Sequence, residues 1–139
     1  MLPYSRLDDR ALDIMKLRIL DDSLRLRLPQ REVKQLRDTG RVEAAIRFGP
    51  GPEQRLVYAL IAVPEAQRIS ATLTDREIAV HLPQSVAHAW ADGNEVSLRG
   101  EQSLGDGTLT LLVEKDFKCL TPREGEEEYD GFANPNTSC

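Results

Sequence analysis

Residues 16–30 read KLRILDDSLRLRLPQ, and residues 70–84, offset by 54 positions, read SATLTDREIAVHLPQ. Laid over each other, they put Asp21 on Asp75, Leu24 on Ile78, Leu26 on Val80 and Leu28-Pro29-Gln30 on Leu82-Pro83-Gln84. The same offset continues: Val33 meets Ala87, Leu36 meets Trp90, Asp38 meets Asp92 and Val42 meets Val96. A gapless match of this extent predicts an internal duplication. Two unrelated strand–helix units of similar length are the alternative.

Each copy reads as ββαββ. In the first, residues 17–20 form a short strand and Asp21-Asp22-Ser23 a turn. Leu24, Leu26 and Leu28 alternate with Arg25 and Arg27, the period of a half-buried strand. Pro29 suits the first turn of a helix, where its missing N–H costs nothing. That helix places Val33 and Leu36 on one face and stops at Thr39-Gly40, with Gly40 supplying a left-handed residue. Strands 42–48 and 56–63 flank Gly49-Pro50-Gly51-Pro52. The second copy predicts strands 69–73 and 78–82 and a helix from 83 to 91. Strands 96–100 and 109–114 follow, around the hairpin signal Gly105-Asp106-Gly107. The expected fold class is α+β, β-dominated, with the two units closing one pseudo-twofold barrel or sandwich. Its organisation is an extension (1–15), repeat one (16–63), a short linker, repeat two (68–114) and an acidic, mostly irregular tail (115–139).

In the extension, Ser5-x-x-Asp8 has capping-box spacing ahead of Leu7, Ala11, Leu12 and Met15, so a short helix is expected there, or else Met15 is the true start. With 139 residues, 40% apolar and 29% charged, the chain is one domain's worth and not wholesale disordered. The longest apolar run, residues 56–63, is eight long. A membrane span needs roughly 18. Cys119 and Cys139 are too few for a disulfide scaffold, and charged residues interrupt the N-terminus where a secretory signal would be apolar. A cytoplasmic location follows as the expectation.

The unit resembles the AbrB/MazE (SpoVT-AbrB) class of swapped-hairpin proteins. The resemblance rests on the apolar-Pro steps Leu28-Pro29 and Leu82-Pro83 and on Val42 and Val96 in the strand after the turn. It covers residues 16–114. The Gly-Arg usual in that class before the Leu-Pro strand is replaced by Asp22-Ser23 and Arg76-Glu77. The resemblance implies a ββαββ unit, of which two exchange hairpins to close one small barrel. Members are DNA-binding transition-state regulators and antitoxins. Two units in one chain imply an intramolecular pseudo-dimer, hence a monomer. The pattern from Met15 to Glu114-Lys115-Asp116-Phe117-Lys118-Cys119-Leu120 is also similar to small bacterial proteins of uncharacterised function.

Charge bears on the DNA-binding expectation. Residues 1–68 hold 13 Lys/Arg against 10 Asp/Glu, whereas residues 69–139 hold 5 against 13. At the 54-residue offset Arg18 faces Thr72, Arg25 Ala79, Arg27 His81, Arg31 Ser85, Lys34 His88, Arg37 Ala91 and Arg41 Glu95. A palindromic DNA site is read by two equivalent basic surfaces, and here only one copy is basic. The net charge of −5 also opposes phosphate binding. The candidate binding face is Arg25, Arg27, Arg31, Lys34 and Arg37. It is either a solvated face, a DNA contact, or a docking face for an acidic protein, the chain's own tail included. In the tail, Phe117, Tyr129 and Phe132 are candidate anchors among acidic residues, as in the toxin-wrapping segments that the resemblance implies.

Enzyme chemistry has few candidates. His81 and His88, seven apart, fit no zinc pattern. Cys119 beside Lys115 and Lys118, with Asp116, is the candidate for a small enzyme; its ordinary reading is a small apolar residue ending a strand. Asp116, Glu124, Glu126, Glu127, Glu128 and Asp130 fit no calcium loop. Trp90 is expected in the core. The expected function is non-enzymatic binding of a protein partner, without cofactor or metal, and DNA binding is the alternative.

Overall fold

The computed structural model describes residues 14–117. The expected N-terminal helix, Cys119, Cys139 and the anchors Tyr129 and Phe132 lie outside the described residues. Strands dominate. In chain order they are β1 (Lys16–Leu20), β2 (Ser23–Leu28), β3 (Arg41–Arg47), β4 (Arg55–Val63), β5 (Ser70–Thr74), β6 (Glu77–Pro83), β7 (Ser97–Ser103) and β8 (Thr108–Lys115). Helix α1 (Gln30–Thr39) follows β2, and α2 (Gln84–Asp92) follows β6.

Local chemistry accounts for these elements. In β2 the alternation buries Leu24, Leu26 and Leu28 and turns Arg25 and Arg27 outward. Pro29 sits one residue ahead of α1 rather than inside its first turn. Its backbone is extended, and its carbonyl accepts the N–H groups of Glu32 (3.0 Å) and Val33 (3.1 Å), which closes that turn. α1 buries Val33 and Leu36 and ends at Gly40, whose φ of 83° lets its N–H donate to the Leu36 carbonyl at 2.9 Å. Asp21 and Asp75 take positive φ in the two-residue turns of β1–β2 and β5–β6, a conformation Asp tolerates.

The strands form two four-stranded sheets, ordered β1-β2-β8-β7 and β3-β4-β6-β5. In each, the central pair is parallel (β2 with β8, β4 with β6) and the outer pairs are antiparallel hairpins. Each sheet therefore joins a hairpin from the first half of the chain to one from the second. The inner faces share one core with the helices. Leu26, Leu28, Leu111 and Val113 come from the first sheet, Val42, Leu60, Val80 and Leu82 from the second, and Leu36 and Trp90 from the helices. Each such side chain contributes about 1.5–3 kcal/mol on leaving water.

One expected equivalence fails. Val96 precedes β7 and is exposed, whereas Val42 is buried in β3. The registers show why. Val42 pairs with Leu60, which pairs with Val80; Leu98 pairs with Val113, which pairs with Leu26. Leu98, two residues on from Val96, therefore takes the place of Val42. A shift by two keeps the inward parity of a strand, so the core survives it. β7 also runs on to Ser103 instead of stopping at 100, because it keeps pairing with β8 as far as Ser103 opposite Thr108, and Gly100 within it leaves room for Ile69. A Cβ on Gly100 would lie 2.7 Å from the Ile69 Cβ.

Candidate binding surface

The outer face of the first sheet collects positive charge from β1, β2 and β7, on either side of β8. Register places Arg18 (β1) opposite Arg25 (β2), Arg25 opposite Leu112 (β8), and Leu112 opposite Arg99 (β7). The next row is Lys16, Arg27, Glu114 and Ser97. Glu114 is central to both. Its Oε1 lies 3.4 Å from the Nε of Arg27 and 3.7 Å from that of Arg25, so two guanidinium groups share one carboxylate. The Arg25 Nε is buried and makes no hydrogen bond among the described residues. At the margins Lys16 reaches Asp116 at 2.9 Å and Arg99 reaches Glu101 at 3.2 Å. Arg18 is exposed and makes no ion pair among the described residues. Like charges directly opposite one another across a ladder are destabilising, so this row carries a cost that an anion lying across it would relieve.

The corresponding row of the second sheet is Thr72, Ala79, Ala59 and Glu43, with no positive charge. Arg41 lies beside it and donates to Glu43 (2.7 Å) and Glu77 (3.0 Å). These hydrogen bonds, that to Glu43 foremost, raise its pKa further.

The five candidate basic residues fall in two settings. Arg25 and Arg27 belong to the two adjacent sheet rows and are half-buried. Arg31, Lys34 and Arg37 stand on α1 and line a shallow groove of about 770 Å³ against α2, with Asp38, Ala91 and Asp92. There Lys34 pairs with Asp38 one turn on (3.0 Å), and Arg37 directs its Nε between both oxygens of Asp92 (3.0 and 3.1 Å). Lys16, Arg18 and Arg99, the other cations of the two sheet rows, were not among the candidates. Lys16 and Arg18 share the parity of β1 and were within reach of a pattern reading. Arg99 required the pairing of β7 with β8.

The remaining candidates are placed as follows. His81 points to the outer face of the second sheet, in register with Ser70 and Ile61, and His88 is half-buried on α2. Trp90 is buried and donates its Nε1–H to the Val96 carbonyl at 3.1 Å. Lys115 caps the end of α2 through the Gly93 carbonyl (2.9 Å), with its ammonium 5.6 Å from the Trp90 ring centre. Asp116, the candidate partner of Cys119, is held by Lys16, and its N–H donates to Leu28. Phe117 is exposed where the described chain ends. Tyr58 donates to the Met15 carbonyl at 2.9 Å; burial first, and then the charge of Glu32, raise its pKa. Among the described residues no group of three His, Cys, Asp or Glu is placed to hold a metal ion. No described helix is long and apolar enough to cross a membrane.

Compared with known families, residues 15–136 match a family of unknown function, DUF7009. No curated protein and no solved structure matches the chain.

Proposed function

The chain belongs to the family of unknown function DUF7009, and from that premise we propose that it is a non-enzymatic binding module of the bacterial cytoplasm. It takes an acidic protein segment on the outer face of its first sheet. We read its scaffold as a duplicated ββαββ unit of the AbrB/MazE type, with both halves of a swapped-hairpin dimer in one chain. The joining of hairpins from opposite halves in each sheet supports that reading. A chain that satisfies its own exchange is a monomer.

The observation that carries the binding reading is the row Arg18–Arg25–Leu112–Arg99. Three guanidinium groups flank one apolar side chain, an arrangement that suits a segment mixing carboxylates with an apolar residue. The row is not repeated on the second sheet. One partner on one face fits that asymmetry better than a palindromic duplex does.

The test places a photocrosslinker at Ser97, which is exposed on this face. At about 50 mM salt, it is expected to capture an acidic protein from bacterial lysate, and capture is expected to vanish in an Arg18→Glu/Arg99→Glu variant. Capture indifferent to those arginines would sink the surface. Binding of a random DNA duplex that falls steeply between about 50 and 200 mM salt, and is lost in the same variant, would replace the protein partner with DNA.

A further inference from the structure

Among the occupants open to this basic face, one is tethered to its edge. β8 ends at Lys115, and the Asp116 N–H still donates to the Leu28 carbonyl at 2.8 Å, so the chain leaves the sheet alongside β2. The Asp116 carboxylate already lies on Lys16, the first basic residue of the face. Beyond Phe117 the sequence runs KCLTPREGEEEYDGFANPNTSC, with Glu124, Glu126, Glu127, Glu128 and Asp130 within seven positions. From Phe117 to Glu124 is seven residues, an extended reach of about 23 Å. The Arg18–Arg25–Leu112–Arg99 row is only two residues back from Glu114 along the ladder, about 7 Å. The intervening chain is therefore long enough for the run to be brought over the row by a reversal of direction. The face offers positive charge: Arg25 and Arg27 share one carboxylate, and among the described residues Arg18 makes no ion pair.

We propose that the acidic run 124–130 folds back over the outer face of the first sheet, occupying it as an internal competitor that an acidic partner must displace. This rests on reading that face as the binding surface. Tethering gives the run a local concentration of millimolar order, so only a partner of higher affinity, or one that also engages the tail, gains access.

The test uses the full chain with Cys119→Ser, Cys139→Ser and Gly125→Cys, and a nitroxide attached at the last position. The amide resonances of Arg18, Arg25 and Arg99 are expected to broaden, while those of Thr72, Ala79 and Glu43 on the other sheet stay sharp. Sharp signals are expected to return at 1 M salt, where the screening length is about 3 Å, and in an Arg18→Glu variant, with Arg99→Glu as a second exposed substitution. Broadening shared equally by both sheets, or centred on Lys34 and Arg37 in the helix groove, would overturn the proposal. So would an unbroadened face. If a poly-glutamate peptide then shifts the Arg18 and Arg25 amides of that unbroadened face, the binding surface stands without its tail. If it shifts nothing, both readings fall.

Discussion

Tyr58 fastens the entry of β1 to the second sheet through its hydrogen bond to the Met15 carbonyl, and its raised pKa makes that tie sensitive to alkali. The sign follows from linkage. Below the unfolded phenol's pKa of about 10, the hydroxyl is neutral in both states and its contribution is complete. As pH rises past that value, the unfolded chain ionises first and stability falls, until the folded phenol ionises too. Tyr58→Phe is expected to cost about 1 kcal/mol at neutral pH and to remove this residue's share of the alkaline loss, as read from urea unfolding at pH 8 and 11. Arg18→Glu has the opposite direction. It turns a like-charge pair with Arg25 into an opposite-charge one, and is expected to raise stability by roughly 0.2–1 kcal/mol in urea unfolding. A surface substitution that stabilises the fold would mark Arg18 as kept for binding rather than for folding. At this scale the alternation of Leu24, Leu26 and Leu28 was legible in the sequence. The sharing of Glu114 between Arg25 and Arg27 was not, because Glu114 lies almost ninety positions away.

Elements meet at seams that hairpin patterns do not specify. β5 and β7 are edge strands of different sheets, and Gln102 joins them. Its amide oxygen accepts the Ala71 N–H at 2.7 Å and its amide nitrogen donates to the Ala71 carbonyl at 3.0 Å, so one side chain mimics a ladder pair. Gly100 lets Ile69 approach beside it. Gln102→Ala leaves both Ala71 groups without that partner and is expected to cost about 1–3 kcal/mol. Exchange of the Ala71 amide is expected to quicken while that of Leu26 does not. The place of Gln102 at the other seam is taken by Ile46, as the two-residue shift at β7 dictates. Ile46 is half exposed and offers no amide. A gapless offset in sequence aligned these edges wrongly, because an added pair of residues between helix and strand leaves the alternation of a strand unchanged.

The whole molecule has its halves interleaved. Each sheet contains strands from both, and one core runs through both sheets and both helices. Neither half can unfold while the other keeps its sheets. Unfolding is therefore expected to be one cooperative transition, with Trp90 fluorescence and far-ultraviolet circular dichroism coinciding in urea. Separate transitions would mean that the halves stand independently. Sedimentation is expected to give a 15.6 kDa monomer, since each sheet already joins a hairpin from each half of the chain. A dimer would instead mean that hairpins pair between chains.

Local residue patterns set where the chain extends, coils and turns. Alternation in SLRLRL, proline ahead of each helix, Gly40 at a left-handed position and Asp in the tight turns all act within a few residues. The tertiary structure alone decided which strands lie side by side, and with that the surface. Arg18 and Arg25 stand in one row with Arg99 because β2 pairs with β8, and β8 with β7. Pairing depends on closing long loops around a shared core, and its free energy is spread over residues distant in the chain, so no local pattern encodes it.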